Sequence, residues 1–161
     1  MVFRLTVATV AAVCSAAAYA QQKLHAPEHI AIVASSTAVG AQGMKMTATL
    51  TPAKGGTIAG TATVAAGSGA GSTVATVSIT GGKAGAVYPW HVHVGKCGQT
   101  PGGKVWGDPS AYKPLTAGAD GSAKGTATIA MAVPTSGDYY VNIHASPSDM
   151  GTIVSCGNLG M

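Results

Sequence analysis

The chain has 161 residues, of which 47% are apolar and 9% charged, with a formal net charge of +4. One Phe and two Trp leave few large side chains for a core. The basic residues are scattered singly, without aromatic interleaving, which excludes a nucleic-acid surface and leaves a weak positive field suited to small anions.

Residues 1–20 read as a secretory signal. Arg4 supplies a positive start, LTVATVAAV an apolar core, and Ala18, Tyr19 and Ala20 an A-x-A cleavage site. The apolar run is too short for a lasting bilayer span, and no later segment is longer, so no membrane span is expected after cleavage. Attachment of a lipid to Cys14 is disfavoured, because Val13 stands where a small residue is expected. Removal of the signal leaves one domain's worth of chain, with eight Lys against five acidic residues. It also leaves Cys97 and Cys156, an even pair that in an exported chain is most simply a disulfide. The chain is accordingly expected in the periplasm or outside the cell.

Residues 21–43 show no sustained period and are expected to form an arm or a first strand. The domain proper is expected over 44–161, where short alternating runs are separated by glycine-rich turns. Met46, Ala48 and Leu50 share one face of the first run, and Ile58, Ala62 and Val64 one face of the second. Ala75, Val77 and Ile79 share a face of the third, and Trp90, Val92 and Val94 of the fourth. The fifth carries Ala127, Ile129 and Met131, and the sixth Tyr139, Val141 and Ile143. GSGAGS, GGKAG and ADG supply the positive φ of tight turns. No helical periodicity is present, so an all-β sandwich or barrel is predicted.

The period of two decides where the histidines point. With Trp90, Val92 and Val94 inward, His91 and His93 share the outer face; with Tyr139, Val141 and Ile143 inward, His144 does too. Residues i and i+2 on a strand are about 7 Å apart, close enough for both rings to meet one ion. Three imidazoles suit copper or zinc, and spacing does not choose between them. The plainer alternative is a polar strand face.

Several motifs in order then carry a resemblance. GTATVAAGSGAGSTVATVSITGG followed by YPWHVHVGKC resembles the early strands and H-V-H strand of the copper/zinc superoxide dismutase family. YKPLTAGADGSAKGTATI resembles its central D-x-x-G-x-A segment. VNIHASPSDMG and VSCGNL resemble its last copper histidine, D-x-G turn and terminal cysteine strand. The likeness runs from Gly60 to Leu159. It implies an eight-stranded Greek-key β-barrel, a single copper on His91, His93 and His144, and a Cys97–Cys156 disulfide tying a loop to the last strand.

The departures from that family bear on activity. Between Val94 and Ile143 there is no histidine, so the bridging ligand and the zinc site are missing and zinc is not expected. Asp108, the only acid in KCGQTPGGKVWGDPSAYKPL, reads as a turn residue before Pro109. Ser148 stands where the family has an aspartate linking its metal ligands, and the neighbouring Asp149 is a candidate to orient a ligand imidazole. Ile153 replaces the arginine that guides superoxide in the family, and losing such a donor costs about 100-fold or more in rate. Further candidates are His25 and His29 in the arm, with Glu28, and Met44, whose thioether suits Cu(I). Met46 reads as core filler. Trp106 and Tyr112 either shield the site or pack its loop.

The functional expectation is therefore an exported copper-binding protein that stores, buffers or delivers copper, exchanging it with a delivery or receiving protein. The alternatives are a copper-only superoxide dismutase of reduced efficiency, with superoxide as a small-anion substrate, and a metal-free interaction barrel.

Overall fold

The alternation of small apolar and polar residues becomes a curled antiparallel sheet. A computed structural model describes residues 44–161; the signal segment, Cys14, and the arm with His25, Glu28 and His29 lie outside the described residues. The strands are β1 (Lys45–Pro52), β2 (Ala59–Ala66), β3 (Thr73–Thr80), β4 (Val87–Tyr88), β5 (Trp90–Val94), β6 (Leu115–Thr116), β7 (Ala123–Ile129), β8 (Tyr139–Ser146) and β9 (Asp149–Leu159). Seven of them form one sheet in the order β5-β8-β9-β1-β2-β3-β7, which curls into a half-barrel, while β4 and β6 make a separate two-stranded ribbon.

The inner face carries the core. Met46, Ala48 and Leu50 of β1, Ala62 and Val64 of β2, and Ala75, Val77 and Ile79 of β3 are all buried, as the alternation predicts. Trp90 and Val92 of β5 meet Ile143 and Val141 of β8 in register, and all four are fully buried. Trp90 Nε1–H donates to the Lys113 carbonyl at 2.9 Å, which satisfies its polar end. A Cβ at position 125 would lie 2.5 Å from Leu115 Cδ2, so Gly125 makes room for Leu115 beside the Trp90 ring. At a turn, Gly121 has φ 76° and approaches the Gly82 carbonyl closely enough that a side chain there would collide with it.

Two positions depart from the alternation. Val94 is 45% exposed because β5 ends there and Gly95, at φ 112°, turns the chain away. Met131 is 43% exposed because β7 has already ended at Ile129. Strand β8 departs in the opposite direction. Its outward residues Tyr140, Asn142 and His144 are as buried as the inward ones.

Tyr140 is covered by the segment after β5, which folds back against it, and His144 meets the Met150 carbonyl of β9. Val94 N–H donates to the Lys104 carbonyl and Trp106 N–H to the Val92 carbonyl. Gly103 N–H donates to the Tyr140 hydroxyl at 3.0 Å, and Cys97 N–H to Asn158 Oδ1 at 2.8 Å. A disulfide joins Cys97 to Cys156 in β9, with Cα atoms 6.0 Å apart. The segment is thereby tied down at both ends.

Candidate metal centre

Strands β5 and β8 place the histidines. Their antiparallel register sets His91 opposite Asn142 and His93 opposite Tyr140, with Trp90, Val92, Val141 and Ile143 occupying the inner face. Directly opposed residues share a face, so His91, His93, Tyr140 and Asn142 stand together on the outside. His144 follows at the position two beyond Asn142, beside a register irregularity, and faces Ile153 of β9. Its backbone N–H leaves the ladder and donates to the Pro89 carbonyl at 2.9 Å.

His91, His93 and His144 converge. One ring nitrogen from each lies within 4.8 Å of the others, with His91 half-buried and the other two buried. Backbone carbonyls fix two of the tautomers. His93 Nδ1–H donates to the Gly103 carbonyl at 2.8 Å, which leaves a lone pair on Nε2. His144 Nδ1–H donates to the Met150 carbonyl at 2.8 Å with the same result. His91 Nδ1 lies 3.2 Å from His144 Nε2, and because the His144 proton is on Nδ1, His91 Nδ1–H is the donor of that pair. Moving that proton to the other His91 nitrogen exposes a third lone pair toward the same point. His93 Nε2 is buried with no hydrogen-bond partner, as expected of an atom whose partner is a cation. Three neutral imidazoles, two of them with the remote N–H held by a backbone carbonyl, form a donor set that fits a transition-metal ion.

Electrostatics keep the set neutral. Burial pushes His91 below the ordinary 6.5, and the nearby His144 and His93 add to it, bringing the value to about 4. For His93, burial outweighs the opposing hydrogen bond to Gly103, and its value is lowered. His144 is lowered for the same reason, against its bond to Met150. Aromatic rings hold the imidazoles in place. Tyr140 stacks on His93 at 5.1 Å, with ring planes 18° apart, and Tyr112 meets His91 edge-on at 5.4 Å.

The remaining sequence candidates fall elsewhere or act otherwise. Asp149 does not hydrogen-bond an imidazole: its carboxylate accepts from Thr152 N–H at 3.0 Å, and the orienting acceptor for His144 is the Met150 carbonyl next to it. Ser148 is exposed and bonds Ser146 through their hydroxyls. Met44 lines a separate cavity with Ala65, Gly67 and Val133, which contains none of the three histidines. Met46 is buried in the core. Asp108 accepts from Ser110 N–H at the start of a 3-10 turn. Trp106 and Tyr112 are core residues, with the Tyr112 hydroxyl donating to the Trp106 carbonyl at 2.6 Å, and Tyr112 also walls His91.

An open cleft of about 810 Å³ reaches the site between β8, β9 and the covering segment. His93, Tyr140, Asn142, His144 and Ile153 are among its lining residues, and the lining has no acidic residue, lysine or arginine. Residue-type reasoning missed the Gly103 and Met150 carbonyls, because a backbone acceptor carries no sequence signal. Scanned against family models, the chain matches none, and a search of curated proteins returns no match.

Proposed function

We propose that this protein binds a single copper ion through His91, His93 and His144 and stores, buffers or delivers it in an oxidising compartment outside the cytoplasm. The observation that carries the reading is the convergence of three imidazole nitrogens within 4.8 Å, one of them buried and without a partner. Imidazole donors alone leave copper and zinc open. Copper is selected by the likeness of the H-V-H strand, the VNIHA segment and the paired cysteines to copper/zinc superoxide dismutases, and the same likeness makes the half-barrel part of a Greek-key barrel. The Cys97–Cys156 disulfide is consistent with an oxidising compartment, and among the described residues no helix is long and apolar enough to cross a membrane.

Holding copper is favoured over efficient dismutation by the character of the cleft. A positive lining concentrates an anionic substrate, whereas this lining is uncharged, with the apolar Ile153 directly across from His144. A copper-only dismutase of reduced efficiency is the second reading, supported by the open path from solvent to the histidines.

Competitive titration with Cu(II) and Cu(I) tests the first reading. One equivalent is expected to bind, and His91→Ala or His144→Ala is expected to weaken binding by 10-fold or more, about 1.4 kcal/mol. Binding unaffected by either substitution would remove both copper readings. If the copper-loaded protein clears superoxide faster than an equal amount of free copper, the dismutase reading takes precedence.

A further inference from the structure

The three histidines leave one neighbour unaccounted for. Asn142 stands directly opposite His91 across the β5–β8 pair, diagonally across from His93, and two residues before His144 on the same face. Opposed side chains start about 5 Å apart at Cβ and diagonal ones about 7–8 Å. Asn142 is therefore the outer-face position common to all three histidines. It is 7% exposed, and its Oδ1 is buried without a hydrogen-bond donor.

Among the described residues, two buried side-chain atoms have no partner: His93 Nε2 and Asn142 Oδ1. Both belong to residues that line the same cleft. Both are also lone-pair acceptors, since His93 Nδ1 carries that ring's proton. Neither can satisfy the other, and a buried acceptor without a donor lowers stability. A cation held by the histidines answers both.

We propose that Asn142 Oδ1 is a fourth donor to the metal. The proposal rests on the metal reading above and adds a selection among oxidation states. A carboxamide oxygen is a harder donor than imidazole, so three nitrogens and one oxygen favour Cu(II) over Cu(I). The site is then suited to holding the oxidised ion more tightly than the reduced one.

The test uses the full chain with Cu(II) and Cu(I) as probes, each measured by competition with a coloured chelator. Asn142→Leu is expected to lower Cu(II) affinity about 10-fold and to change Cu(I) affinity less than about twofold. A 10-fold preference lost from one state raises the one-electron potential by about 59 mV. Asn142→Asp, which restores an oxygen, is expected to recover Cu(II) affinity to the wild-type level or above. The wild-type protein gives a readout that needs no variant. The chain has two asparagines, Asn142 and Asn158, and Asn158 Oδ1 already accepts from Cys97 N–H. With asparagine labelled with carbon-13 at the side-chain carbonyl, electron–nuclear double resonance of the Cu(II) form is expected to show a carbon coupling that Asn142→Leu abolishes. Absence of that coupling in the wild type, or an Asn142→Leu protein with unchanged Cu(II) affinity and spectrum, overturns the proposal while leaving the three-histidine reading intact. Failure of the wild type to bind either copper ion overturns both.

Discussion

At the scale of single residues, the site is governed by keeping three imidazoles unprotonated. Metal binding requires the neutral ring, so protons compete with the ion as pH falls. Exposed histidines would begin to lose a metal near pH 6.5. Here burial lowers all three, His91 to about 4. Copper affinity is therefore expected to hold at pH 6.5 and to fall only at lower pH, with His91 itself taking up a proton only near pH 4. A titration that loses half its affinity at pH 6.5 would show that the rings are more solvated than this arrangement allows. The residues that accept from His93 and His144 are backbone carbonyls of Gly103 and Met150, so substitution of Asp149 is expected to leave copper affinity within about twofold.

At the scale of elements, the covering segment links the disulfide to the metal site. Cys97 anchors it to β9, and Gly103 in the same segment accepts from His93 Nδ1–H and donates to the Tyr140 hydroxyl. By the chain-entropy estimate, a disulfide closing a loop of this separation is worth about 4 kcal/mol. Cys97→Ser with Cys156→Ser is expected to lower the melting temperature and to weaken copper binding several-fold, because the His93 ring loses its fixed acceptor. Lower stability with unchanged affinity in the folded protein would uncouple the two.

The same segment explains what the sequence conceals. Inner faces of β1, β2 and β3 follow the period of two, and that period correctly puts the three histidines on one outer face. It does not reveal that Tyr140, Asn142 and His144 are buried, because neither the irregular segment that meets Tyr140 nor the Met150 carbonyl that meets His144 carries a signal in the period. Nor does it reveal Asn142 as a neighbour of all three histidines, which depends on the β5–β8 register.

At the scale of the molecule, a small half-barrel carries three histidines at a cost that depends on pH. Their folded values lie below the unfolded 6.5, so between pH 6.5 and about 4 the unfolded chain binds more protons. Stability of the metal-free protein is thus fully present above pH 6.5 and is lost as pH falls toward 4. Thermal melts across that window are expected to drop, and His91→Gln is expected to flatten the dependence. A bound ion adds to stability in proportion to the logarithm of its excess over the dissociation constant, so loading should raise the melt at neutral pH.

The central claim is that His91, His93 and His144 hold one copper and that no zinc site accompanies it. It is tested most directly by dialysing the full chain against equal, limiting copper and zinc and measuring the metal retained. One copper and no zinc per chain, with copper lost in the His144→Ala protein, is the expected result. One equivalent of zinc, or no metal at all, would contradict the account.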